Sequence, residues 1–134
     1  MIKKYIIALG SNCNSQIAFE IAAQELHTLG DVLMSSTIIG KDFTGKTDRI
    51  YHNAVVFLTL FQPLDYDKFN GILKNIEKKC GRTDDKMQVS IQVPMDLDIL
   101  AFYENDWQIV AKRLPFKEHE KKGLFEVAPF LLKN

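Results

Sequence analysis

The chain alternates compact apolar runs with polar, turn-forming stretches, and the period inside each run separates strands from helices. Tyr5 to Leu9 is a short run of strand formers stopped by Gly10-Ser11-Asn12, which predicts a buried strand entering a turn. Asn14 or Ser15 can then cap a helix whose apolar positions Ala18, Ile21, Ala22, Leu26 and Leu29 recur at helical spacing, with Gly30 as its stop. Asp31 to Ile39, carrying Val32, Met34 and the β-branched Thr37, Ile38 and Ile39, reads as a second strand that fades at Gly40. Tyr51 to Leu60, with Val55, Val56, Phe57 and Thr59, gives the strongest strand signal. After Pro63, Asp65 can cap a second helix with the stripe Phe69, Ile72, Leu73, Ile76 and Cys80; Lys74, Glu77, Lys78 and Lys79 fall outside the stripe and Gly81 ends it. Met95 to Tyr103 is the fourth strand.

Residues 40 to 50 and 82 to 94 are polar and turn-rich, as expected of surface loops that carry function. The segment after residue 103, through Pro115 and Gly123 to Phe125-Glu126-Val127-Ala128-Pro129, has weak local signals and room for a turn of helix. The order β-α-β-β-α-β predicts an α+β, ferredoxin-like sandwich: a mostly antiparallel sheet with two helices on one face and loops on the other. No repeat or linker divides the sequence, so residues 1–134 are read as one domain.

Composition narrows the function classes. Hydrophobic residues make up 46% and charged residues 25%, which is ordinary globular usage. Seventeen basic residues balance seventeen acidic ones, so no global field recruits nucleic acid or an anionic membrane, and an anionic ligand must be held locally. The apolar run at the start stops at Gly10, too short to span a bilayer. Cys13 and Cys80 form no metal-type spacing and read as free thiols. The expectation is a cytoplasmic monomer with small-molecule ligands.

The strongest chemical signal is Met95-Asp96-Leu97-Asp98-Ile99-Leu100. On a strand both carboxylates leave one face while Met95, Leu97 and Ile99 point to the other. Taken alone, Asp-x-Asp is better explained by a solvated polar face. Within an apolar strand, after a loop holding Arg82 and Lys86, paired acids point instead to a bound cation, and hard oxygen ligands suit Mg²⁺ with substrate phosphates. Tyr51 and Asn53 open a strand on a shared face, a ring and an amide able to stack on and hydrogen-bond a flat heterocycle.

Five blocks in this order resemble the 6-hydroxymethyl-7,8-dihydropterin pyrophosphokinase family: Ala8-Leu9-Gly10-Ser11-Asn12; Tyr51-His52-Asn53-Ala54-Val55-Val56; Ile76-Glu77 with Gly81-Arg82; Met95 to Leu100; and the late Pro115 and Gly123. The resemblance covers nearly the whole chain. It implies a ferredoxin-like fold and transfer of pyrophosphate from ATP, as co-substrate, to the pterin hydroxymethyl group, a step in folate synthesis. It further implies that Asp96 and Asp98 hold two Mg²⁺ ions, that Tyr51, Asn53, Phe43 and Leu124 contact the pterin, and that Arg82, Lys86, Arg113 and Lys122 contact the nucleotide. Arg82 would act with the two aspartates in catalysis.

The sequence also departs from that family. Val93 stands where an arginine is usual before the aspartates, Asp84 and Asp85 follow Thr83 where a second loop arginine is common, Phe116 replaces a histidine after Pro115, and Lys122 and Leu124 replace an arginine and an aromatic ring. Each lost cation weakens a phosphoryl-transfer site, and lysine lacks the planar fork of arginine. Lys86, Lys112, Arg113 or Lys117 can compensate; His119 lies close in sequence, although a surface histidine is the plainer reading. The sequence therefore supports an active pyrophosphokinase and, as the alternative, a divergent member that binds a pterin or another small ligand without turnover.

Overall fold

A computed structural model describes residues 1–41, 50–82 and 92–132. Its elements are β1 (Ile2–Ser11), α1 (Ser15–Leu29), β2 (Gly30–Met34), β3 (Ile38–Lys41), β4 (Ile50–Leu64), α2 (Tyr66–Lys79), β5 (Asp96–Glu104), β6 (Asp106–Ile109) and α3 (Glu118–Val127), with short 3₁₀ turns at Ala111–Arg113 and Pro129–Leu132. The sheet runs β2-β4-β1-β5-β6, with β3 paired to the first residues of β4. All of these pairings are antiparallel. Within it, β1-α1-β2-β4-α2-β5 forms the ferredoxin-like α+β arrangement, and β1 is bonded along both edges.

Strand alternation divides the apolar residues between two cores. Tyr5, Ile7 and Leu9 of β1, Val56, Leu58 and Leu60 of β4, and Leu97 and Ile99 of β5 face α1 and α2, where they meet Ala18, Ala22, Leu26, Phe69, Leu73 and Ile76. Each fully buried aliphatic or aromatic side chain in that layer contributes roughly 1.5–3 kcal/mol. Ile6, Ala8, Val55, Leu100 and Ala101 pack with Phe116, Leu124, Val127, Ala128 and Leu131 in the second core. The sheet face expected to carry loops is thus covered along part of its length by α3.

Local chemistry sets the helix boundaries. The Asp65 carboxylate accepts from the Lys68 amide at 2.8 Å and caps α2, an arrangement worth about 1 kcal/mol. Asn14 precedes α1 in the left-handed region with φ 50° and makes no side-chain cap. Gly30 ends α1 for a steric reason: a Cβ there would lie 2.1 Å from the Thr59 carbonyl oxygen, because β2 starts directly against β4.

Three expectations are corrected. The strand expected over Asp31 to Ile39 is two strands, because the Ser35 amide donates to the Val55 carbonyl and the Val55 amide donates to Ser35 Oγ, which turns the chain from one half of β4 to the other. β4 itself runs past Leu60 to Leu64 and includes Pro63, beside an irregular pairing with β1 between Ile2 and Lys4. The weak final segment holds a helix of 10 residues rather than a single turn. Cys13 and Cys80 are free thiols, and no described helix is long and apolar enough to cross a membrane.

Candidate functional site

The register of β1 assembles the site. Gly10 pairs with Asn53 of β4 on one side and Asp96 of β5 on the other, and Ala8 pairs with Val55 and Asp98. Since Leu97 and Ile99 are committed to the helical core, Asp96 and Asp98 are turned toward the α3 face. There, Tyr51, Asn53, Gly10, both aspartates and the first turn of α3 line one cleft of about 530 Å³, part of it open to solvent. A Cβ on Gly10 would come within 3.2 Å of Asn53 Oδ1 and 3.8 Å of the Tyr51 ring, so the glycine keeps the cleft floor low.

Each aspartate is paired with an arginine. Arg82 donates to Asp96 Oδ1 at 2.9 Å and to the Met95 carbonyl at 3.3 Å; Arg113 donates to Asp98 Oδ1 at 3.0 Å. Burial, the Asp96 charge and the Asp96 hydrogen bond push the Asp98 carboxyl up to about 6 against the opposing pull of Arg113. For Asp96 burial acts upward, but the hydrogen bond with Asp98 and the Arg82 guanidinium outweigh it and hold the group below its usual range. The pair therefore titrates together, with the residual proton favouring Asp98.

Glu77 lies behind this pair. The sequence pattern placed it outside the buried stripe, yet its side chain is buried at 4% exposure and Oε2 accepts from the Leu97 amide at 2.7 Å, between the two aspartates. Its Oε1 stands 3.7 Å from Arg82, and Lys74 donates to Oε2 at 3.2 Å. Burial raises its carboxyl, opposed by the Leu97 amide, Lys74 and Arg82. The only sequence trace of this role is that Glu77 follows Ile76 at the helix edge.

Of the residues singled out in the sequence, Asp96, Asp98, Tyr51 and Asn53 line the cleft together, while Arg82 and Arg113 bond its acids. Asn53 is buried, and its amide donates to the Ile38 carbonyl at 3.4 Å. Phe43, Lys86, Asp84 and Asp85 lie outside the described residues. Leu124, expected against the ligand, is fully buried in the α3 core, because it faces the sheet beside Val127. Lys122 is exposed on α3 and does not line the cleft; Phe116 is buried in the second core and Val93 is half-buried. Lys117, one of the cations able to compensate for the missing arginines, does line it, together with His119 and with Glu120, which no sequence signal singles out. His119 is half-buried at the rim of this cleft.

Asp96 and Asp98 supply oxygen ligands on one face, and among the described residues no third His, Cys, Asp or Glu joins them in a metal-holding group. That set fits Mg²⁺, which keeps waters and takes substrate oxygens alongside one or two carboxylates. It does not fit a structural zinc ion.

The fold and cleft define a ferredoxin-like α+β domain with an acidic pair facing an aromatic and amide wall. The family model for 7,8-dihydro-6-hydroxymethylpterin-pyrophosphokinase matches residues 6–131, and the chain belongs to that family. Among curated proteins, none matches the chain.

Proposed function

We propose that this protein transfers pyrophosphate from ATP to the hydroxymethyl group of 6-hydroxymethyl-7,8-dihydropterin, with Mg²⁺ held at Asp96 and Asp98. One observation carries the reading: the acidic pair and the Tyr51–Asn53 wall line the same cleft across β1. In this reading the Asn53 amide hydrogen-bonds the heterocycle edge and Tyr51 bounds its pocket. Arg82, Arg113 and Glu77 hold the acidic strand in place through the contacts described above. The substrate hydroxyl attacks the β-phosphorus and AMP departs; the bound cation supplies neutralisation of the phosphate charge. The protein's own part is orientation and fixed charge.

Incubation with MgATP and the pterin alcohol should release AMP and the pterin pyrophosphate, measured by chromatography. Release no greater than from the Asp96→Ala protein rejects the proposal.

A second reading, a pterin-binding module without turnover, is favoured by a specific observation. Phe116 and Val93 occupy positions where the family resemblance implies a histidine and an arginine, and neither side chain offers a cation. Calorimetry showing pterin binding without MgATP binding supports this alternative; saturable MgATP binding counts against it.

A further inference from the structure

The first turn of α3 forms the roof of the cleft, and its residues are not those the family blocks single out. Lys117, His119 and Glu120 line the cleft together with Gly10, Asn53 and Asp98. Their position follows from the packing of the helix. Gly123 lies against Val55, so closely that a Cβ would meet Val55 Cγ2 at 2.4 Å. One helical turn earlier, His119 and Glu120 stand toward Asn53, two residues before Val55 on the same face of β4. Glu120 is committed to the helix end: it is buried and its Oε1 accepts from the Lys117 amide at 2.9 Å.

His119 has a different environment. It is half-buried at the cleft wall, and burial together with Lys117 holds its imidazole below the ordinary histidine range against the pull of Glu120. A neutral imidazole offers one donor and one acceptor, which matches a neutral heterocycle or alcohol better than a polyphosphate. The Asn53 side of the cleft offers the same kind of paired donor and acceptor.

We propose that His119 contacts the heterocyclic alcohol substrate directly, hydrogen-bonding it from the α3 side of the cleft while Asn53 does so from the sheet. His119 is then a specificity-determining residue for that substrate and not for the nucleotide. The inference rests on the function proposed above, and its test separates the two.

Calorimetry with 6-hydroxymethyl-7,8-dihydropterin and, separately, with MgATP should be run on the full chain as wild type, His119→Ala and His119→Gln, with thermal melts as a check on folding. Loss of a hydrogen bond to a bound ligand corresponds to roughly tenfold in affinity. His119→Ala should therefore bind the pterin about tenfold more weakly, His119→Gln should recover part of that loss, and MgATP affinity should stay within about twofold. Unchanged pterin affinity overturns the proposal. An equal loss for MgATP also overturns it, since that pattern marks a displaced helix. A wild-type protein that binds MgATP but no pterin overturns the functional reading and this inference together, whereas pterin binding unaffected by His119→Ala overturns the inference alone.

Discussion

Gly123 offers the sharpest test of how α3 is held over the sheet. Replacing it with alanine adds a Cβ that would lie 2.4 Å from Val55 Cγ2, 2.8 Å from Val55 Cβ and 3.3 Å from Ser35 Oγ. Ordinary carbon contacts lie at about 3.5–4.0 Å, so the added methyl overlaps Val55 by about 1 Å. Rotation of Val55 relieves only the Cγ2 contact. Its Cβ is fixed by a backbone tied on both sides to Ser35, through the Ser35 amide to the Val55 carbonyl and the Val55 amide to Ser35 Oγ. The helix must move instead. Overpacking of this kind costs about 1–3 kcal/mol, while alanine regains up to about 1 kcal/mol of helix propensity. With the full offset the expected net loss is about 0–2 kcal/mol, or a fall in Tm of up to roughly 8 °C. Urea unfolding followed by circular dichroism measures the first and calorimetry the second. Val55→Ala in the same chain should couple favourably with Gly123→Ala, but only in part, because alanine keeps the Cβ. A gain of about 1 kcal/mol for Gly123→Ala, the whole helix-propensity benefit with no overpacking cost and an unchanged denaturant slope, refutes the close packing of α3 on β4.

Glu77→Ala should destabilise by about 2–3 kcal/mol in urea titrations, because it leaves the buried Leu97 amide without its acceptor, and a loss below about 0.5 kcal/mol would contradict that role. In EDTA, stability should fall as pH rises through about 6. The folded Asp98 carboxyl lies above its unfolded value of 3.8, so its contribution is complete below that value and lost above about 6, a change on the order of 3 kcal/mol that Asp98→Asn should remove. Asp96 is shifted the other way and acts only at lower pH. Mg²⁺ should raise Tm more at pH 8 than at pH 5, because protons compete for the same oxygens; an equal rise at both pH values would count against binding at this pair. The Cys80 thiol, pushed up to about 11 by burial and by the Glu77 and Glu25 charges, should be alkylated at pH 8 at least about a hundredfold more slowly in the folded chain than in urea. Peptide mass mapping would reveal comparable rates if that burial were wrong.

Much of the sheet was legible because its strands are strongly apolar. β1, β4, β5, α1 and α2 follow from period and punctuation alone, and the side of β5 occupied by the aspartates follows from simple alternation. The third helix was not legible, for a definite reason. Its buried positions are Glu120, Gly123, Leu124 and Val127, a correct helical spacing in which one member is a carboxylate and one has no side chain. A hydrophobic pattern cannot register such a stripe. Glu77 was misplaced similarly, since a buried glutamate that serves a strand amide looks the same in sequence as a solvated one. The cleft roof at Lys117, His119 and Glu120 depends on where α3 docks, which is a long-range packing outcome and leaves no local sign.

The double bonding of β1 has a consequence for how the site can change over evolution. Asn53 and Asp96 flank the same residue, Gly10, so they stand two interstrand steps apart, roughly 9–10 Å. Backbone hydrogen bonds set that interval, and no point substitution at the rim can lengthen it. Side chains around the cleft are free to drift in charge and shape, while the span a ligand must bridge stays calibrated by the strand between them.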